Sequence, residues 1–162
     1  RVGKVISESG MEPDCLQSEL TEGVIMDNAA TSIDALQELK ALGSNLSIDN
    51  FGTGYASLSC LGRFPLDELK IDRSFVVDFG NSEPDAGVIT AIIAIGKSLN
   101  LRLVAEGVDG PDQFNFLIDN GVMVMQGFLF SKPVSAMELA ELLNGTDISE
   151  KTLEFRRLAY QS

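Results

Sequence analysis

The sequence contains no histidine, only two cysteines, and 12 basic residues against 24 acidic ones. Without histidine there can be no Ser-His-Asp triad, no Cys-His nucleophile pair and no imidazole-ligated zinc. Any chemistry must be done with carboxylates, amides, lysine, tyrosine or a metal held by oxygen. Cys15 and Cys60 are far apart and match no metal or redox spacing, so they read as small buried hydrophobes. The net charge of −12 repels nucleic-acid polymers and anionic lipid, so a phosphate-bearing ligand would need a local cation. Long hydrophobic runs are missing too. The longest, residues 88–95, is interrupted by Thr90 and followed by Gly96 and Lys97, far short of a membrane span. The segment starting Arg1-Val2-Gly3-Lys4 has no export signal, so a cytoplasmic location without membrane contact is expected.

What the sequence does have is an alternation of short apolar runs and amphipathic stretches. This predicts an α/β fold built from βα units on a parallel sheet. Residues 1–11 read as the tail of a helix closed by Pro13. Strands are expected over 16–21, 46–49, 68–72, 101–106 and 122–126. Helices are expected over 28–42, 56–61, 86–99, 111–120, 136–143 and 149–160, with an acidic connection over 78–85. Gly43 and Gly145 are stop signals, Pro111 suits a first turn and Ser135 is a cap.

The strand ends share a property. Glu19, Asp49, Lys70, Glu106 and Gln126 each lie near the C-terminal end of one of the five runs. Singly, such a residue is a cap or a surface charge. Five in succession match a (β/α)8 barrel, whose active sites collect residues from the C-terminal ends of several strands. That barrel needs eight strands and about 250 residues, whereas this chain offers five strands in 162. The sheet is therefore either open, or the first three βα units lie outside this sequence. Three carboxylates, a lysine and a glutamine suit a hard divalent cation, Mg²⁺ or Mn²⁺, and phosphoryl chemistry.

Five motifs then carry a family resemblance over residues 16–143. Ser18-Glu19-Leu20-Thr21-Glu22 and the segment from Ser47 through Asp49-Asn50-Phe51-Gly52-Thr53-Gly54-Tyr55 to Leu58 resemble the ELTE and DDFGTGYSSL segments of EAL domains. Leu69-Lys70-Ile71-Asp72-Arg73-Ser74-Phe75 resembles KIDRSF, Ala105-Glu106-Gly107-Val108-Asp109 resembles AEGVE, and the run Gln126-Gly127-Phe128 to Pro133 resembles QGYLFSKP. The resemblance implies the C-terminal five βα units of a TIM-like barrel, with residues 1–12 as the tail of a preceding helix. It also implies metal-dependent hydrolysis of cyclic di-GMP to pGpG in bacterial signalling. By resemblance, Glu19, Asp49, Asn50 and Glu106 hold Mg²⁺ or Mn²⁺, and Glu106, Lys70 and Gln126 activate water. Glu22, Asp72, Arg73 and Asp109 support them, and Phe51 and Pro133 bind substrate, although Phe51 and Tyr55 also read as packing residues.

Departures from the family pattern open a second reading. Asn50 stands where the family has an aspartate, so a second metal would be held by a neutral oxygen. Asp109 shortens a glutamate. The Glu-Ala-Leu segment does not occur in these residues, nor does the asparagine strand after it, so two implied ligands are not in this sequence. The alternative is thus a degenerate EAL domain that binds cyclic di-GMP or regulates a partner without hydrolysis. An unrelated metal-dependent barrel enzyme is a third, more distant reading. Implied partners are cyclic di-GMP, an upstream sensory or diguanylate cyclase domain, and a second copy in a homodimer or strand-exchanged oligomer. An unclosed barrel exposes a strand edge, so the isolated chain is expected to be inactive and not to persist as a compact monomer. Light scattering with thermal melting checks this, and a monodisperse monomer with a cooperative melt would contradict it.

Overall fold

The computed structural model describes residues 2–27, 29–54, 61–77, 79 and 83–144. The chain opens with α1 (Val2–Ser9) and a 3-10 turn (Pro13–Cys15), then β1 (Gln17–Thr21), α2 (Glu22–Asp27), α3 (Ala29–Ala41) and β2 (Asn45–Phe51). It continues with β3 (Glu68–Ile71), α4 (Arg73–Val77), α5 (Glu83–Ser98), β4 (Arg102–Glu106), α6 (Pro111–Asp119), β5 (Val124–Gln126) and α7 (Ala136–Asn144). Residues 55–60, which include Tyr55, Cys60 and all but the last residue of the helix expected over 56–61, and the helix expected over 149–160 lie outside the described residues. Cys15 is exposed, not buried as expected, because it closes the 3-10 turn that leads into an edge strand.

All four strand pairings are parallel, in the order β1-β2-β3-β4-β5, so each strand lies beside the next one in sequence. Neighbouring parallel strands need a crossover, and the intervening helices supply it. Side chains alternate across each strand. Leu46 and Ile48 of β2, Leu69 and Ile71 of β3, and Leu103 and Ala105 of β4 belong to one core with Leu36 of α3, Ile89, Ile92 and Ile93 of α5, and Leu117 of α6. This explains the periodicities. The helices carry apolar stripes because they cover one face of the sheet, and every second strand residue joins them.

The opposite face is polar. Gln17, Glu68 and Arg102, from β1, β3 and β4, form one layer: Gln17 Nε2 donates to Glu68 Oε1, Arg102 Nε donates to Glu68 Oε2 at 2.6 Å, and Arg102 Nη2 donates to Gln17 Oε1 at 3.2 Å. Two residues further along each strand lie Glu19, Lys70 and Val104, and Glu106 lies two beyond Val104. Side chains on this face are exposed on the outer strands, Gln17, Glu19 and Thr21 on β1 and Val124 and Gln126 on β5, where alternate residues are more covered. Among the described residues β1 and β5 each have a single strand neighbour, so the barrel is incomplete.

Three elements differ from the sequence reading. Helix α2 follows β1 without a loop and carries Gly23, so its six residues leave no clear periodic signal. Helix α4 is five residues long, and Asp72 caps it, its Oδ1 accepting the Ser74 N–H at 2.9 Å and the Ser74 hydroxyl. Helix α5 begins at Glu83 inside the expected acidic connection, since Pro84 fits a first turn where no donor is needed. Ser135 does cap α7: its Oγ accepts the Glu138 N–H at 3.3 Å, and Glu138 returns a carboxylate to the Ser135 N–H at 2.8 Å.

The side chain of Glu68 is 5% exposed and depends on Arg102 for its counter-charge. Removing one partner of such a pair strands the other without compensation. In the full-length protein, Arg102→Leu is expected to cost about 2 kcal/mol or more, read from urea denaturation midpoints. Adding Glu68→Gln, which keeps the bond to Gln17 without the charge, should recover most of the loss.

Candidate active site

Five strands deliver their polar residues to one place. Lys70 Nζ of β3 lies 2.6 Å from Glu106 Oε1 of β4, 2.9 Å from Glu19 Oε2 of β1 and 3.5 Å from Asp49 Oδ1 of β2. Gln126 Nε2 of β5 donates to the same Glu106 Oε1 at 2.9 Å. All five strand-end residues singled out in the sequence thus meet. Parallel strands all run the same way, so their C-terminal ends share one edge of the sheet.

Lys70 is nearly buried, its side chain 8% exposed. Burial alone would lower its pKa, but the hydrogen bonds to Glu106 and Glu19 and the charges of Glu106 and Asp49 outweigh it and hold the ammonium above the ordinary lysine value. A raised lysine keeps its proton until the pH passes that elevated value, so Lys70 stays cationic through the neutral range and cannot serve as a base. It can bind an anion or orient a water.

Three carboxylates surround this one ammonium, an excess of two negative charges. Asp49 Oδ1 is buried and makes no hydrogen bond. An all-oxygen donor set with one orphaned acceptor fits a hard divalent cation. With Lys70 at the centre, no group of three acidic residues is placed to hold a metal ion among the described residues. Holding a metal would therefore take a shift of the carboxylates off the lysine.

Asp49 and Asn50 sit on a β-bulge. Ile48 pairs with Leu69 and Phe51 with Ile71, so two residues of β2 oppose the single residue Lys70. Asn50 takes a left-handed φ of 55°, a conformation asparagine tolerates better than most residues. The extra residue flips the alternation: Phe51 comes level with Ile71 and is buried, 4% exposed, in the helix-facing core. Phe51 thereby packs in the core, as its second reading has it. Beyond it, Gly52 has a φ of 94° and donates its N–H to Glu22 Oε2 at 3.0 Å. Glu22 is itself buried, and a Cβ on Gly54 would lie 2.7 Å from its Oε1. Glu22, the residue directly after β1, therefore anchors the turn after Asp49 and Asn50.

Beside Glu106 and Gln126 opens a cavity of about 640 Å³, lined also by Arg73, Asp109, Phe128, Lys132 and Pro133. Asp109 pairs with Arg73 Nη2 at 3.3 Å, and its Oδ1 accepts the Phe128 N–H at 2.9 Å. The Arg73 guanidinium lies 5.6 Å from the centre of the Phe128 ring, within reach of a cation–π attraction. Gly107, with a φ of 72°, leaves room for this arginine, because a Cβ there would lie 2.2 Å from Arg73 Cγ. Asp72 faces Ser74 as the cap of α4, not the carboxylate cluster, so its expected support is indirect. Phe128 and Lys132 are cavity residues that the sequence reading passed over, since only the loop after β5 brings them to Glu106.

The sequence profile of the EAL domain family matches residues 1–133. The cyclic di-GMP phosphodiesterase NbdA of Pseudomonas aeruginosa is 44% identical over 142 residues, covering 88% of this chain and 18% of that protein. The bifunctional diguanylate cyclase/cyclic di-GMP phosphodiesterase MucR of the same organism is 43% identical over 138 residues, covering 85% and 20%. This chain thus spans about a fifth of the length of these curated relatives. Among solved structures, the PaMucR phosphodiesterase in complex with c-di-GMP superposes with a TM-score of 0.83 at 43% identity, over 85% of this chain and 56% of that one. The EAL domain of Mycobacterium smegmatis DcpA gives 0.83 at 38% identity, over 88% and 64%. A manganese/cyclic di-GMP complex of Klebsiella pneumoniae BlrP1 gives 0.75 at 32%, over 82% and 34%. A five-stranded parallel sheet with interleaved helices, motifs in family order and a carboxylate cluster at the strand ends lead to one conclusion: the chain belongs to the EAL domain family.

Proposed function

We propose that this chain forms part of a phosphodiesterase domain that hydrolyses cyclic di-GMP to linear pGpG with Mg²⁺ or Mn²⁺. The observation that carries the reading is the meeting of Glu19, Asp49, Lys70, Glu106 and Gln126 at one edge of the sheet, beside a cavity. The relatives and the complexes with c-di-GMP support it, and so does BlrP1 with manganese.

Glu19, Asp49 and Glu106 would hold the cation, with the Asn50 amide oxygen as a neutral donor. The cation would neutralise phosphate charge and acidify a bound water. Lys70, cationic through the neutral range in this arrangement, would draw the phosphate toward the cluster and oppose charge developing on its oxygens. Glu106 accepts the proton of the attacking water, and Gln126 fixes the orientation of that carboxylate through its 2.9 Å hydrogen bond. Asp109 and Arg73 shape the cavity wall, and Glu22 steadies the turn next to Asp49. The domain acts on a dissolved nucleotide within a cytoplasmic protein; among the described residues no helix is long and apolar enough to cross a membrane. Upstream sensory or diguanylate cyclase modules, as in MucR, and a homodimer or strand-exchanged oligomer complete the reading.

Asn50 favours a second reading, a receptor that binds cyclic di-GMP without cleaving it, because a neutral donor weakens a second cation site. Full-length protein incubated with cyclic di-GMP and Mn²⁺, with products resolved by chromatography, decides between the two. The expected outcome is pGpG formation that Glu106→Gln lowers by about 10²-fold or more. Undiminished cyclic di-GMP, with hydrolysis gained by Asn50→Asp, would establish the receptor. In a working enzyme, Asn50→Asp is expected to tighten Mn²⁺ activation several-fold, read from the metal concentration at half-maximal rate.

A further inference from the structure

Lys70, Glu106 and Gln126 lie at or near the ends of β3, β4 and β5, and their contacts of 2.6 and 2.9 Å require the three loops that follow these strands to stay in mutual position. The β4 and β5 loops are joined by backbone bonds, Val108 N–H to Gln126 O at 3.1 Å and Leu129 N–H to Val108 O at 3.1 Å. A Cβ on Gly127 would lie 2.1 Å from Val108 O, so this junction admits no side chain there. Besides the Arg73–Asp109 ion pair at 3.3 Å, the joint between the β3 loop and the β4 loop is built from one amide side chain.

That side chain is Gln113, in the first turn of α6. Its Oε1 accepts the N–H of Asp109 at 2.7 Å and of Gly110 at 2.9 Å. Its Nε2 donates to Val76 O, at the end of α4, at 3.0 Å. Val76 belongs to the short helix that begins directly after Lys70-Ile71-Asp72, and Asp109 in turn holds the Phe128 N–H of the β5 loop. One amide thus ties the segment after Lys70 to the segment after Glu106, and through Asp109 to the segment after Gln126.

We propose that Gln113 is a positioning residue that sets the register of Lys70, Glu106 and Gln126 by joining the loops behind them, and this rests on the phosphodiesterase reading. A side chain at this position that only capped α6 would need its acceptor oxygen alone. The donor half of the amide reaches another element, and a carboxylate cannot supply it. Gln113→Glu separates the two roles: it keeps both accepted bonds and suits a helix N-terminus, but places a second acceptor against Val76 O.

The test uses full-length protein at pH 8. Gln113→Glu is expected to lower kcat about tenfold with KM within twofold and to leave the melting midpoint within a few degrees. Its amide exchange should rise across 73–77 and 126–129 as well as 109–113. Unchanged kcat, with faster exchange confined to 109–113, would overturn the proposal and leave Gln113 a helix cap. Should the wild-type protein not cleave cyclic di-GMP, the phosphodiesterase reading fails by itself, and the exchange pattern still decides whether Gln113 joins the loops.

Discussion

The Lys70 ammonium lies among carboxylates from three other strands, Glu19, Asp49 and Glu106, at distances from 2.6 to 3.5 Å. A charge that is nearly buried must be matched, or its desolvation would drive it neutral. The four strands must therefore keep their parallel order and register for the cluster to exist at all. The arrangement also sets the chemistry. A lysine fixed in the cationic form is an anion-binding group, and the excess of negative charge around it invites a hard cation. The carboxylates are held to the ammonium and at the same time outnumber it, so the cluster carries an excess of negative charge.

Around this cluster the backbone uses irregularity where regular strands would fail. The bulge opposite Lys70 puts Asp49 and Asn50 side by side at the edge of the site and turns Phe51 to the core. Glu22, buried and bonded to Gly52, holds the turn that follows. On the other side, Gly107 and Gly127 let the chain approach Arg73 and Val108 more closely than any side chain would permit. The apolar helices on the far face supply the stability against which these departures are set.

Much of the site was legible because the barrel places functional residues by a rule the sequence expresses directly: a polar residue at the C-terminal end of each apolar run. Glu19, Asp49, Lys70, Glu106 and Gln126 follow it, and the structure brings all five together. The face that Phe51 takes was not legible, because a β-bulge is one extra residue with no compositional mark, and it reverses which face the next side chain takes. Helices α2 and α4 escaped notice because five or six residues are too few to show a 3.6-residue period. Gln113 had a faint signal, a glutamine in the first turn after Gly110-Pro111, but a cap is all such a pattern announces. Its bond to Val76 joins residues 37 apart.

By itself the sequence determined the class of chemistry, the order of the βα units and the identity of the strand-end residues. Those follow from composition, from hydrophobic period and from motifs that are local in the chain. Only the tertiary structure decided that Lys70 is buried among three carboxylates, that Arg73, Asp109 and Phe128 form one wall of a cavity, and that a single amide spans two loops. Each of these depends on distances between strands and loops far apart in sequence, fixed by sheet register and helix packing, and no local pattern encodes them.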